Sequence, residues 1–166
     1  MTDPAIDIAL GKRELLRHAV ATLAYRGAKA IRNAPPELAD FRIGDSTRSP
    51  LQILAHLGDL LEWGVSLAEG NQKWNVATPA SWDAEASRFF SALTRVDEYL
   101  ATDRPLGCKP EKLLQGPVAD ALTHVGQVMM LRRLANAPVR SENYAIAEIV
   151  LGRVTAEQAA PRFEFD

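Results

Sequence analysis

Apolar residues recur along four segments of the chain at the three- and four-residue steps of amphipathic helices. The first segment, near residues 3–33, opens at Asp3-Pro4. The carboxylate can cap a helix there, and the N–H that proline lacks would have no partner at the first helical position. The segment closes before Pro35-Pro36, which cannot continue a helix. The positions predicted to face a core include Leu16, Val20, Leu23 and Ile31.

The two middle segments carry serine caps and a regular apolar seam. The second, near 49–70, opens at Ser49-Pro50, where Gln52 can bond back to the cap residue, and Gly70 provides its stop. The third, near 81–102, opens at Ser81 and has the cleanest heptad-like spacing in the chain. Its seam consists of Trp82, Ala86, Phe89, Leu93, Val96 and Leu100.

The fourth segment, near 116–136, is predicted to begin at Gly116-Pro117 and to end at Asn136 and Pro138. Residues 139–166 follow, and they are too apolar for a solvated tail, so we expect them to pack across the helices as a C-terminal extension. No alternating strand pattern appears in the four segments. The sequence therefore predicts an all-α four-helix bundle, a single domain spanning residues 1–166.

Composition and charge narrow the classes of partner. The chain has 166 residues, 47% of them hydrophobic, and a net charge of -2 that is spread along its length. No basic stripe suggests nucleic acid, and charges interrupt every long apolar run, so no membrane span is predicted. The start lacks a secretory pattern and Cys108 is the sole cysteine, which favours the cytoplasm. Seam-like helices of near-neutral charge favour a homodimer.

Two of the three histidines lie at the rims of apolar helix faces. His18 lies opposite the apolar arc of the first helix and is predicted to be on the surface. His56 lies beside the arc of the second helix, and His124 lies at the equivalent rim of the fourth. Each is either a partly buried histidine held by a carboxylate or a carbonyl, or one ligand of a shared metal. Neither helix contains a His-x-x-x-His or His-Glu-x-x-His pair.

Two stretches resemble the DinB/YfiT-like family of bacterial proteins. They are Ile-Leu-Ala-His-Leu-Gly-Asp-Leu-Leu-Glu-Trp at 53–63 and Asp-Ala-Leu-Thr-His-Val-Gly-Gln at 120–127. The resemblance extends from the first helix to Pro138. It implies an up-down-down-up bundle, often dimeric, with a divalent metal held by three histidines at one end.

Carried over by position, the resemblance makes His56 the first metal ligand and His124 the second. The place of the third ligand is Val128, which cannot coordinate a metal. We assign the remaining oxygen donor to Gln127. Other donors remain open, and they are Asp120 on the same helix and Asp59 or Glu148 from elsewhere.

Some members of this family are transferases or isomerases that use a low-molecular-weight thiol. A zinc or nickel ion suits that chemistry because it lowers the pKa of a bound thiol or water. We therefore predict a divalent-metal pocket that serves thiol-dependent transfer or metal-assisted hydrolysis. The alternative, which Val128 favours, is a noncatalytic homodimeric bundle that has lost the metal and binds a small apolar ligand or none. Trp63 and Trp82 either line such a pocket or belong to the core.

Overall fold

The computed structural model describes residues 4–165, with side chains from Leu10 onward, and these residues form helices and loops without a strand. The long helices are α1 (Pro4–Ile31), α2 (Pro50–Ala68) and α3 (Trp82–Leu100). A fourth long stretch consists of α4 (Pro110–Leu113), a π-helical segment (Leu114–Val118) and α5 (Ala119–Leu134). The predicted all-α class is confirmed, and the predicted cap Asp3 lies outside the described residues.

Local sequence signals set the beginnings of α2 and α3. Ser49 forms a capping box with Gln52, in which each side chain bonds the other residue's main-chain N–H. The Ser81 hydroxyl accepts the N–H of Ala84 at 3.2 Å. After α2, Gly70 has a φ of 74°, a left-handed conformation that ends a helix and that glycine adopts without strain.

The start predicted for the fourth helix is wrong. The chain enters it at Pro110, six residues before Gly116, and Gly116-Pro117 lies inside the π-helical segment. Proline has no N–H to donate, and the wider π turn accommodates that missing donor without ending the helix. Pro117 is buried there and lies against Gly64 of α2.

Contacts between the helices establish the direction of each helix. The Trp82 indole, at the start of α3, donates to the carbonyl of Ile31, at the end of α1, so these helices are antiparallel. Arg88 bonds Asp59 and Arg95 pairs with Glu62, so α3 runs parallel to α2. Arg132 of α5 bonds the carbonyl of Ala30, so the ends of α5 and α1 lie together. The resulting order is up, down, down, up, as predicted.

One apolar core joins the four helical stretches. The predicted core positions Leu16, Val20, Leu23 and Ile31 of α1 are all buried. The same holds for Leu54, Leu57 and Leu61 of α2 and for Phe89, Leu93, Val96 and Leu100 of α3. Within the part of the chain that the structure describes, no helix has both the length and the apolarity needed to span a membrane.

The C-terminal extension packs on α1, as predicted. Val154 is buried in the core, and the Tyr144 ring lies edge-on to Tyr25 with the Arg26 guanidinium over its face. Glu142 is also buried, and its carboxylate binds Lys29 and Tyr25 of α1. The extension therefore covers the side of α1 with both apolar and ionic contacts.

Candidate metal centre

His56 and His124 face each other between α2 and α5. Because these helices are antiparallel neighbours and Gly64 of α2 lies against Pro117, His56, eight residues before Gly64, comes level with His124, seven residues after Pro117. The two imidazole centroids lie 4.7 Å apart, and the rings are inclined by 66°. The two rim histidines of the sequence thus lie side by side, close enough to share a ligand.

Asp120 completes a cluster of three donors. His56, Asp120 and His124 each offer one potential ligand atom, and these three atoms all lie within 4.8 Å of one another. The Asp120 side chain is 46% exposed, whereas that of His124 is 13% exposed. The cluster therefore has a mostly buried imidazole on one side and a carboxylate that opens to solvent on the other.

A main-chain contact orients the His124 ring. Its Nδ1 lies 2.9 Å from the carbonyl oxygen of Asp120, one helical turn earlier, and 3.2 Å from the Asp120 carboxylate. A carbonyl can only accept, so this contact places the proton on Nδ1. The lone pair then remains on Nε2, and metal-binding histidines commonly have their second nitrogen held by such a bond.

His56 has its imidazole free for a ligand. Among the described residues, no group hydrogen-bonds its ring nitrogens, although Trp74 packs edge-on against it at a centroid distance of 5.8 Å. Burial lowers the pKa of His56 below its ordinary value, and the nearby His124 and Arg48 lower it further. The imidazole is therefore neutral at pH 7, which is the form that binds a metal.

Trp74, in the loop after α2, borders the site, and Trp63 of α2 packs against Trp74. Trp74 lies 5.7 Å from Trp63 between ring centroids, also edge-on, and it is 47% exposed. Trp74 was not predicted as a site residue because residues 71–80 have no helical periodicity, and its only signal is a large aromatic side chain in a polar loop. Trp63 packs against the core and Trp74. Trp82 lies at the end of α1 instead, bonded to Ile31.

The remaining predicted donors lie in other surroundings. Gln127 is exposed and lines a groove beside His124, and its role as a ligand stays a prediction. Asp59 is buried, and its carboxylate forms an ion pair with Arg88 and accepts the N–H of Ala77. Glu148 binds Arg153 and Arg162 in the C-terminal extension. Asp120 is thus the predicted oxygen donor that the structure groups with both histidines.

Burial decides the roles of three other residues. Val128 is 1% exposed and belongs to the hydrophobic core, so core packing fills the position that the resemblance assigns to a third ligand. His18 is exposed, as predicted. Burial raises the pKa of the Cys108 thiol, which keeps it protonated and a poor nucleophile.

The donor set fits a small divalent cation. Tetrahedral zinc, with bonds of about 2.0–2.2 Å, separates its ligand atoms by roughly 3.4 Å. Donors within 4.8 Å of one another therefore need to approach by no more than about 1.4 Å. A change of rotamer of the exposed Asp120 can shorten its distances to both imidazoles, and small rotations of the two rings can shorten the third. Two imidazoles and one carboxylate suit zinc or nickel better than magnesium or calcium.

No protein-family model, curated protein or solved structure matches the chain.

Proposed function

We propose that this protein binds a divalent zinc or nickel ion through His56, His124 and Asp120 and uses it for thiol-dependent transfer or hydrolysis. The observation that supports the proposal is the convergence of these three donors from two helices. Three protein ligands are typical of catalytic zinc sites, because the fourth position stays open for water or substrate. The proposal agrees with the resemblance to DinB/YfiT-like proteins.

The surroundings of the three donors suit that chemistry. A bound ion would lower the pKa of a thiol or water at its open position, which provides an anionic nucleophile near neutral pH. The Asp120 carbonyl fixes the His124 ring, and the neutral His56 needs no deprotonation at pH 7. Trp74 packs edge-on against the His56 ring and holds it from the loop after α2.

Buried Val128 favours a second candidate function. Without a third histidine, the bundle could serve as a noncatalytic homodimer whose pocket holds a small apolar ligand or none. This candidate predicts a chain without stoichiometric metal. Homodimer formation is a separate prediction, which light scattering tests.

Calorimetric titration of the tag-free chain with zinc and with nickel tests the metal site. We expect one ion per chain, a loss of affinity of about 100-fold in His56→Ala and in His124→Ala, and a loss of about tenfold in Asp120→Asn. The exposed His18→Ala is the matched control and should bind like the wild type. Gln127→Ala separates the two oxygen donors, because it should bind normally if Asp120 is the third ligand.

Cobalt provides the test of thiol chemistry. If the open position accepts a thiol, a low-molecular-weight thiol added to the cobalt-loaded chain should produce a sulfur-to-cobalt absorption band. Metal binding that is equal in wild type, His56→Ala and His124→Ala would overturn the metal site. Metal binding without the thiol band would leave the metal site standing and reject thiol transfer.

A further inference from the structure

A largely apolar groove runs along α5, and His124 of the candidate metal centre lines it. Its volume is about 470 Å³, within the range of small-molecule sites. The aliphatic walls are Ile43, Ile53, Met130, Leu131 and Leu134. We call this feature the α5 groove.

Along α5, the polar residues that line the groove precede the aliphatic ones, and the loop before α2 adds Thr47 and Arg48. His124 and Leu134 both line it, and ten residues of helix separate them by about 15 Å. His124 and Gln127 lie on the earlier turns of α5, and only aliphatic residues of α5 line the groove beyond them. A ligand that fits this distribution is polar at one end and hydrocarbon along the rest.

Arg48 supplies a positive charge beside His56. It is exposed, and it lines both the α5 groove and a smaller cavity beside His56. Among the described residues it has no ion pair or hydrogen bond, whereas the neighbouring Arg42 bonds Thr47 and Gln52. The nearby Asp59 is already paired with Arg88. Arg48 is therefore available to bind an anion that reaches the two histidines.

Several of the aliphatic walls are poorly covered by the protein itself. Ile43 is 61% exposed, Met130 52% and Leu134 50%. Exposed apolar side chains grouped around one groove mark a surface that a ligand covers. The charge of Arg48 beside His56 indicates which chemical class that ligand belongs to.

We infer that the α5 groove binds a linear amphipathic carboxylate, whose head group lies at Arg48 and whose hydrocarbon chain lies along Met130 and Leu134. The position of the head group beside a bound ion rests on the metal function proposed above. The substrate class of the site is accordingly a medium-chain carboxylic acid, with its polar end at the metal.

Titration of the zinc-loaded full chain with butyrate, hexanoate, octanoate and decanoate tests this ligand class. Each buried methylene contributes about 0.8 kcal/mol, so we expect the dissociation constant to fall about tenfold for each added pair of carbons. Octanol, which has the same chain without the charge, should bind more weakly than octanoate. Calorimetry or the fluorescence of Trp74 beside His56 provides the readout.

Three variants separate the head group from the chain. Arg48→Met should reduce octanoate affinity about tenfold, to the level of octanol, without weakening zinc binding. Arg140→Met, an exposed arginine of the C-terminal extension, is the control and should leave both affinities unchanged. Met130→Gln keeps the size and helix propensity of the side chain and should reduce the gain per methylene.

The outcomes distinguish this inference from the metal function. Zinc binding with no dependence on chain length, or with no effect of Arg48→Met, overturns the carboxylate ligand and leaves the metal site standing. Carboxylate binding with the expected dependence in a chain that binds no zinc overturns the metal site and supports the ligand. If light scattering shows a dimer that Met130→Gln dissociates, the groove is a contact between two copies, and the inference is overturned.

Discussion

Arg132 stabilises the end of α1 at the scale of a single residue. Its guanidinium is buried and donates to the carbonyls of Ala30, Arg32 and Asn33 and to that of Ala137 after α5. The last carbonyls of a helix have no partners within the helix, and they carry partial negative charge. Burial lowers the pKa of Arg132, yet an arginine stays charged at any physiological pH. One side chain thus joins the ends of two parallel helices.

Arg132→Met should therefore destabilise the protein by about 2–4 kcal/mol, because methionine fills the space and leaves several buried carbonyls without donors. Urea unfolding followed by circular dichroism measures the change. The control is Arg133→Met, an exposed neighbour bonded only to Ser141, which should change stability by less than about 0.5 kcal/mol. Equal effects would show that the carbonyls find other partners.

Gly58 leaves room for the guanidinium of Arg88. A Cβ atom on Gly58 would lie 2.6 Å from Arg88 Cζ, so any side chain there displaces Arg88. That guanidinium binds the buried Asp59 and Glu85, each at 2.9 Å, and the carbonyl of Ala55. The absence of a side chain at position 58 thus allows α2 and α3 to share one arginine.

We expect Gly58→Ala to cost about 1–3 kcal/mol of stability, since the buried carboxylates lose their partner. Gly126→Ala is the matched control on α5, where no atom lies within 4 Å of the added Cβ. There the higher helix propensity of alanine should stabilise the chain by up to about 1 kcal/mol. Thermal unfolding of both variants tests the difference, and the same sign of change in both would refute it.

At the scale of elements, an ionic cluster joins the C-terminal extension to α1. Lys29 Nζ lies 2.7 Å from Glu142 and 2.6 Å from Glu164, and the Tyr25 hydroxyl donates to Glu142 at 2.5 Å. Burial alone would lower the pKa of Lys29, but the bonds to the two glutamates outweigh it and raise that pKa. The hydrogen bond from Lys29 lowers the pKa of Glu164.

These shifts predict how pH affects the extension. The raised pKa of Lys29 stabilises the folded chain below about pH 10.4 and stops doing so as the pH rises through the folded value. The lowered pKa of Glu164 stabilises it above about pH 4.3 and stops doing so as the pH falls through the folded value. Amide hydrogen exchange at residues 141–146 should thus be slowest, after correction for the intrinsic rate, between about pH 5 and pH 10.

Lys29→Met should accelerate that exchange at pH 7, because it leaves the buried Glu142 without a cation. Lys12→Met removes an ion pair whose side chains are 48% and 56% exposed, and exchange in the extension should stay unchanged. Protection of residues 141–146 that survives Lys29→Met would mean that apolar contacts such as Val154 hold the extension alone.

The elements were predictable to the extent that their signals are local. Ser49 and Ser81 cap helices through their own neighbours, so the sequence alone identified them. The start of the fourth helix was predicted wrongly because Gly116-Pro117 fits either a helix start or a π turn inside a longer helix. The packing of Pro117 against Gly64 decides between the two. Periodicity cannot distinguish these two cases.

At the scale of the whole molecule, the site depends on which helices become neighbours. His56 and His124 were identifiable as rim residues, but the meeting of the two rings requires α2 and α5 to run antiparallel side by side. Asp120 was one of several open donors until the structure grouped it with the histidines. Trp74 and Arg48 reach the site from loops, where no periodic pattern indicates the direction of a side chain.

Val128→His connects the metal site to the stability of the entire fold. The position is buried one turn after His124, so an imidazole there lies on the same face of α5 but replaces core packing. Without metal, we expect the substitution to destabilise the protein by about 1–3 kcal/mol. With zinc, the added ligand should tighten zinc binding at least about tenfold. At a fixed excess of free zinc, that restores roughly 1.4 kcal/mol of the free energy of unfolding.

The measurement is urea unfolding of both chains in a chelator and in excess zinc. Val125→His is the control. Val125 is equally buried in α5, but it directly follows His124, so its side chain points about 100° away from that of His124. The control should lose as much stability as Val128→His in the chelator and gain no more from zinc than the wild type does. If zinc stabilises all three chains equally, then position 128 does not face the ion, and the family's third ligand position has no counterpart in this bundle.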